Sequence, residues 1–413
     1  MALSGNGMSK DGLKANNVYA ILNLLYKQGA MPRKDIAENV KLTPATVTML
    51  TNEMIQEGLL AEGREITDSN HAGRRKVLID INYRYGYIAG VYMEHSKVIT
   101  ALAYMNGELI SSIDFSSEEG SSPEQIADRV TEIVDGMIKD NGLDREEFRY
   151  VGVSIVGYVD TDRGVSENSF GMFRNNVDIK SMYESRFDVP VEVDNNVRAL
   201  AIAEIDFNRS GQKINGLFIK HSPGLGGTII VNNSILSGAH SHSGELGHFT
   251  VNPEGKQCVC GKRGCVSTVV SRSALISKAA DIMNPDTTPF IWNLCKGNPY
   301  NLQMDMMVKS ANNGDMPIFR IMDIAAAQLA IVIENSMKLI DGDIVITFGE
   351  LLKNEMFHQK IEEKLDLVAG GTRTYKLRKS IIDESELWKA SIAIAARQLI
   401  RLLSKNTSGG KKP

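Results

Sequence analysis

The sequence has little of several things that would fix its class at once. Among 413 residues there are four cysteines, two tryptophans and 11 prolines, and aromatic side chains make up only 6%. Four cysteines, three of them within eight residues, exclude a disulfide framework and read as a metal site in a reducing cytoplasm. No apolar run reads as long enough to cross a bilayer. The N-terminus has no basic-then-apolar leader pattern. Neither a membrane partner nor export is therefore expected. A net charge of −4 gives the whole chain no general attraction to nucleic acid. What remains is ordinary: 43% hydrophobic residues, enough for real cores, and a length that allows two or three domains at ~150 residues each. The charge is slightly uneven. Residues 1–85 carry 11 Lys and Arg against 9 Asp and Glu, and the rest carries 35 against 41. The polar, Gly-containing ends, residues 1–15 and 406–413, are expected to be disordered.

Residues 16–82 hold three helical patterns in close succession. Val18, Ile21, Leu22 and Leu25 share one face, and Gly29 ends that helix. A short second helix is expected from Pro32 to about Val40, with the proline in its first turn. The third opens with Thr43-Pro44, a cap followed by proline at the first helical position, and buries Val47, Leu50, Met54 and Ile55 before Gly58. Short helix, turn and capped helix form a helix-turn-helix. Its third helix would expose Ala45, Thr46, Thr48, Met49 and Asn52, which with Thr43 are the candidate contacts to phosphates and base edges in a major groove. Two strands follow, around Leu60 and Leu78. The polar loop between them ends in Gly73-Arg74-Arg75, a candidate wing whose Arg74 and Arg75 would enter a minor groove. The plain alternative is a small helical packing domain with a solvated basic loop. The order of cap, hairpin and Gly-Arg-Arg tip favours double-stranded DNA as partner.

A second local signal lies at 244–265, GELGHFTVNPEGKQCVCGKRGC. His248, Cys258, Cys260 and Cys265 offer one imidazole and three thiolates, a closed tetrahedral set suited to structural zinc. Gly261 and Gly264 let the backbone bend so that the sulfurs converge. Cys295 stands apart and reads as a small core residue.

The stretch GAHSHSGELGHFTVNPEGKQCVCGKRGC resembles the signature of the ROK family (repressors, open reading frames, kinases), and the likeness extends over about 86–405. With a winged helix-turn-helix in front, the chain resembles the family's repressor-type members. The resemblance implies an α/β body over 83–405 with an actin-like, hexokinase-like (ribonuclease H-like) fold in two lobes. It also implies zinc at the four ligands above and a sugar effector in a kinase-like cleft.

Kinase members of the family hold ATP in glycine-rich loops, and this sequence departs at each one. The run matching Asp-x-Gly-Gly-Thr is Tyr92-Met93-Glu94-His95-Ser96: the aspartate and both glycines are gone, and Glu94 would face a phosphate. The second loop is Ser222-Pro223-Gly224, in which Pro223 lacks a donor. The third is Phe348-Gly349-Glu350. The family's catalytic aspartate corresponds to Asn196, which takes up no proton at neutral pH; a register shifted by two would place Asp194 there instead. No ATP, no catalytic residues and no enzymatic activity are therefore expected.

The family's sugar contacts correspond in part, to Asn195, Asn196, Glu245 and His248, while its further glutamate is Ser267. The expectation is a cytoplasmic homodimer or tetramer that reads an inverted repeat and represses carbohydrate genes under control of a sugar. One rival is a regulator controlled by a protein partner through a vestigial cleft. The other, an active sugar kinase, conflicts with the altered loops.

Overall fold

The computed structural model describes residues 10–66, 76–95, 97–118, 120–208, 212–239, 241 and 243–409. They divide into two compact units: residues up to 212 together with 387 onward, and residues 213–386.

The first unit begins with α1 (Lys10–Gln28), β1 (Met31–Pro32), α2 (Arg33–Val40), α3 (Pro44–Gln56), β2 (Leu60–Ile66) and β3 (Lys76–Ile81). Residues 10–15, expected to be disordered, are the first turns of α1. Pro32 does not lie inside the second helix. It is extended at the N-cap, pairs with Leu78 across β1 and β3, and sits on a sheet edge where its missing N–H costs nothing. The three strands are ordered β1-β3-β2. Val18, Ile21, Leu22, Leu25, Ile36, Val47, Leu50 and Met54 are buried, the helical spacing having placed them on inward faces.

The body of this unit is a five-stranded sheet. It uses β4 (Tyr87–Glu94), β5 (Lys97–Tyr104), β6 (Leu109–Ser116), β7 (Phe148–Ile155) and, after a small sheet of β8 (Tyr158–Asp160), β9 (Val165–Asn168) and β10 (Val177–Asp178), the strand β11 (Val191–Asn195). The order is β11-β7-β4-β5-β6: an antiparallel meander β4-β5-β6 extended by parallel β7 and β11. The helix α4 (Pro123–Asp140) carries a complete Ser122–Gln125 capping box, and its Ile126, Val130, Ile133, Val134 and Met137 face the sheet. Then come α5 (Ile179–Phe187) and α6 (Asn196–Asn208).

The second unit repeats the plan. β12 (Gly216–His221), β13 (Leu225–Val231) and β14 (Ser234–Ile235) form the meander, and β15 (Ile344–Phe348) and β16 (Lys376–Lys379) add in parallel, giving β14-β13-β12-β15-β16. Helices α7 (Ser267–Val270), α8 (Arg272–Ile282), α9 (Pro289–Leu294), α10 (Met304–Asn312), α11 (Met316–Ile340), α12 (Glu350–Lys353) and α13 (Glu355–Ala369) complete it.

The helix α11 corrects one expectation: by length and hydropathy it is long and apolar enough to cross a membrane. Met322, Ala325, Ala326, Leu329, Ile333 and Met337 of this helix are buried in the core of the unit, which accounts for part of that hydropathy.

The chain then returns to the first unit as α14 (Trp388–Gly409), so residues 406–409, expected to be disordered, are helical. This helix packs on β4, β7, α6 and α1. It lies so close to the sheet that a Cβ on Gly152 would stand 2.0 Å from the Ser391 carbonyl oxygen, so only glycine fits there. Ser391 Oγ donates to Val91 O at 2.9 Å and pairs with Ser154 Oγ at 2.6 Å.

Candidate functional site

The DNA-facing candidates follow from how α3 starts. Thr43 is extended, and its Oγ1 accepts from Thr46 N at 3.2 Å and pairs with Thr46 Oγ1 at 2.8 Å. That satisfies an orphan N–H and fixes the entry of the helix. Val47, Leu50, Thr51 and Met54 point inward. Thr43, Ala45, Thr48, Met49 and Asn52 are exposed on the opposite side, while Thr46 is half-buried by its bond to Thr43. Met49 is 53% exposed, a large apolar side chain that the unit leaves uncovered. Arg74 and Arg75 lie outside the described residues.

Arg33 was not singled out from the sequence. Its Nε donates to Thr51 Oγ1 at 3.0 Å, and its Nη2 donates to Asn52 Oδ1 and Glu62 Oε1, both at 2.9 Å. One side chain thus ties α2 to α3 and to β2. The partners lie 18 to 29 residues away, so no local pattern announces the clamp.

In the body of the first unit, Asn195 caps α6. Its Oδ1 accepts from Val197 N at 2.8 Å and Arg198 N at 3.2 Å, and its Nδ2 donates to Gly157 O at 2.7 Å. Asn196 is buried. Its Nδ2 donates to Glu94 Oε1 at 2.9 Å and to Tyr92 Oη at 3.3 Å, while Tyr92 Oη donates to Glu94 Oε2 at 3.0 Å. Two positions that depart from the kinase pattern, Glu94 and Asn196, therefore hold each other. Asp194 does not take the place of Asn196. It is turned inward against Arg198 Nε at 3.2 Å, and burial raises its carboxyl to about 6 against the opposing pull of that guanidinium.

In the second unit, Glu245 and His248 flank one turn, with His248 Nε2 4.0 Å from Glu245 Oε2. Burial raises the Glu245 carboxyl above its usual range. Ser267 Oγ donates to Gly247 O at 2.6 Å, so the hydroxyl braces the turn that bears both residues. The other altered loops are also visible here. Ser222 N donates to Gly224 O at 2.9 Å, Pro223 has no N–H, and Glu350 opens α12 with a negative charge.

The other face of His248 meets the cysteines. Nδ1 is 3.5 Å from Cys258 Sγ, Cys260 Sγ is 3.6 Å from Cys265 Sγ, and the donor atoms of all four residues lie within 4.8 Å of one another. A tetrahedral ion with bonds of ~2.3 Å to sulfur spaces its sulfurs ~3.8 Å apart, so the four donors fit a metal ion. The loop is held by Cys258 N to Lys262 O at 2.7 Å and by Val266 N to Phe249 O at 2.8 Å. Gly264 has φ +67°, and a Cβ there would stand 1.4 Å from Asn252 O, so the loop closes only with glycine at this position. Burial first, then hydrogen bonds with the neighbouring thiols, push the Cys265 thiol up to about 12 without an ion. A bound cation reverses that preference.

A winged helix-turn-helix head in front of two α/β units, each built on a meander with two added parallel strands, defines a DNA-binding head on a sugar-kinase-like body. The sequence profile of the ROK family matches residues 89–391, and a winged helix-turn-helix DNA-binding profile matches 16–61. The chain belongs to the ROK family. It is 23% identical over 391 residues to the xylose repressor of Caldicellulosiruptor bescii, spanning 94% of this chain and 96% of that one. It is 25% identical over 351 residues to the DNA-binding transcriptional dual regulator NagC of Escherichia coli, spanning 83% and 82%. Among solved structures, a ROK family transcriptional regulator homologous to the E. coli Mlc protein superposes with a TM-score of 0.76 at 22% identity, covering 95% of this chain and 99% of that one. A ROK family glucokinase from Streptomyces griseus, in complex with glucose and AMPPNP, gives 0.65 at 23%, covering 75% and 99%. These two likenesses establish the fold.

Proposed function

We propose that this protein is a sugar-responsive transcriptional repressor that works in the cytoplasm as a homodimer or tetramer without enzymatic activity. One observation carries the reading: the capped, exposed Thr43–Asn52 face of α3 belongs to the same chain as a ROK body in which Asn196 is spent on Glu94. The exposed face serves double-stranded DNA, with Arg74 and Arg75 as its wing. The names of the relatives, a xylose repressor and NagC, support a carbohrydrate effector. Asn195, Asn196, Glu245 and His248 are its candidate contacts, and the four-donor cluster holds structural zinc that orients His248 through Nδ1. A metal-bound imidazole in turn presents Nε2 on the side of Glu245.

The route we assign from effector to DNA runs inside the first unit. The start of α6 carries Asn195 and Asn196, its far end carries Asp206, Asp206 is gripped by Arg397 of α14, and α14 packs along α1 of the head. A ligand that shifts α6 shifts the head by this path, and the two head positions are the two states whose populations the ligand sets.

The test is selection of genomic fragments by the purified protein at fixed salt, since phosphate binding alone is salt-driven. An enriched inverted repeat, released by one member of a sugar panel, is expected. Enrichment of no sequence under any ligand overturns the reading. A second reading, control by a protein partner, is favoured by one specific fact: Glu94, Asn196 and Ser267 are all occupied by contacts within their own units. An intact operator complex that ignores every sugar, with no thermal shift, selects that reading.

A further inference from the structure

A groove of about 750 Å³ opens inside the first unit, between the first helix of the head and the last helix of the body. Gly12, Asn16 and Tyr19 recur at helical spacing on one face of α1, and Gln398, Arg401 and Lys405 do so on one face of α14. Gly12 and Ala15 bring almost no bulk to the α1 wall, which leaves room between the helices. Tyr150, near the start of β7, lines the groove from the sheet on which α14 packs. The groove shares no residue with the candidate sugar contacts Asn195, Asn196, Glu245 and His248.

Tyr150 is only 8% exposed, yet its hydroxyl has no hydrogen-bond partner among the described residues. A polar group so buried is normally paired, and the groove it lines is the space from which a partner can come. Burial raises this phenol well above its usual range, with Glu192 and Glu184 adding to the effect, so it stays a neutral donor. Arg401 and Lys405 are exposed and form no ion pair among the described residues, so two cations line the same space. The nearby acids are engaged elsewhere: Glu192 accepts from Gln398 Nε2 at 2.8 Å, and Glu184 accepts from Val191 N at 3.4 Å. Gln398 is held there by its amide nitrogen, which leaves its Oε1 as an acceptor. Two cations, a neutral phenol donor and an amide acceptor match a small organic anion that carries hydroxyl groups.

We propose that this groove is a second ligand site, for a small hydroxylated organic anion, phosphate- or carboxylate-bearing, that bridges α1 and α14. Its anionic group takes Arg401 and Lys405, one of its oxygens accepts from Tyr150 Oη, and one of its hydroxyls donates to Gln398 Oε1. Such a ligand touches both helices at once, so it stabilises the contact between α1 and α14 that the structure shows. A DNA phosphate offers the same charge, but the Tyr150 phenol lies too deep for a duplex backbone, which favours a small molecule. Binding at the groove stands apart from the regulatory reading above; only its consequence for operator affinity rests on that reading.

Isothermal titration of the full chain without DNA tests this, with 3-phosphoglycerate, glycerol 3-phosphate and citrate as probes and inorganic phosphate and glycerol as controls. At least one probe should bind with a Kd below ~1 mM, and more tightly than either control. Its binding should slow amide hydrogen exchange in α1 and α14. Arg401→Ala should weaken it ~10-fold or more, and Tyr150→Phe ~3–10-fold. The second variant should melt no lower than the wild type in the free state, since the hydroxyl it loses has no partner there. Glu245→Gln, in the second unit, should leave probe binding unchanged. A wild type that binds no probe overturns the proposal, as does a probe whose affinity survives both groove substitutions or is matched by inorganic phosphate. So does a groove that serves DNA instead, seen as a lower salt slope for random duplex in Arg401→Ala while no probe binds. A probe that binds as expected to a protein that selects no operator upholds this site and sinks only the regulatory reading.

Discussion

Arg397 donates from Nε and Nη2 to the two carboxylate oxygens of Asp206, each at 2.7 Å. The Asp206 side chain is wholly buried, and Arg397 is the group that neutralises it. Tyr19 and Tyr26 of α1 are close enough to feel the guanidinium. The pair therefore stands where the sheet-bound helix α6, the long helix α14 and the first helix of the DNA-binding head meet. A forked pair of this kind fixes orientation as well as distance.

Removing the carboxylate should uncouple these helices. Asp206→Ala leaves a cation with no partner at a packed seam, and breaking such a pair costs ~3–5 kcal/mol. Urea denaturation should read that loss. A second readout separates coupling from stability: under conditions where the variant is folded, its operator affinity should no longer respond to the sugar that releases the wild type. A variant as stable as the wild type, with an unchanged ligand response, sinks the proposed route.

Asn196 meets Glu94 as a donor, so changing the amide to a carboxyl reverses the contact. Asn196→Asp sets two carboxyls at hydrogen-bonding distance, and one of them must take a raised pKa. An acid with a raised folded pKa keeps its stability below its unfolded pKa and loses it as pH rises through the folded value. The variant should match the wild type near pH ~4 and fall ~2 kcal/mol behind by pH ~8. In a coupled ATPase assay it should show no sugar-dependent turnover, because the loops at Pro223 and Glu350 stay altered. Turnover would mean that the body kept its nucleotide site.

The wild type carries a related pH effect on β11. Burial raises Glu192 from 4.5 to about 7, against an opposing hydrogen bond from Gln398 of α14, and raises Asp194 from 3.8 to about 6, against Arg198. The folded chain thus holds protons that the unfolded chain has already released. Stability from these two groups is complete below pH ~4 and is lost as pH climbs through 6 and 7. Glu192→Gln keeps a partner for Gln398 and removes the upper part of that loss. Thermal melts should show the variant ~1–2 kcal/mol more stable than the wild type at pH ~8, a figure reduced for the partial exposure of Glu192, and equal to it at pH ~4.

How much of this was legible in the sequence follows from the range of the interactions. The cap at Thr43 and the ligands from His248 to Cys265 are local, so spacing and residue type were enough to find them. The family signature supplied the two-unit α/β body. The clamp at Arg33 and the fork between Arg397 and Asp206 were not visible, since their partners are 18 to 191 residues apart and no periodicity links them. The last strand of the second meander was not legible, because β14, two residues long, carries almost no pattern of its own.

Metal analysis should find one zinc per chain, and Cys258→Ser or Cys260→Ser should lower that ratio while leaving α1–α3 intact. A chelator at neutral pH should lower the melting temperature, because binding free energy at such sites is folding free energy. It should also weaken the response to sugar more than binding to operator, since the ligands include His248 beside Glu245 but no residue of the head. Full occupancy in both variants would remove the cluster as the site.

The head allows the sharpest test of DNA contact, because Arg33 fixes the orientation of one amide. It donates to Asn52 Oδ1, which leaves Asn52 Nδ2 to donate outward from the exposed face of α3. A donor held in this way reads an acceptor on a base edge in the major groove. Asn52→Ala should leave the fold unchanged, since the side chain is exposed, and should cost ~1–3 kcal/mol of specific affinity, ~5–150-fold. Binding to random DNA should change little, and so should the salt slope, because no phosphate contact is lost. Arg33→Ala should produce the same loss of specificity with an added loss of stability, as Thr51, Asn52 and Glu62 all lose a partner at once. Competition of labelled operator against random duplex separates the two effects. If Asn52→Ala weakens both kinds of DNA equally, the side chain serves the backbone, and sequence must be read by Thr48 and Met49 instead.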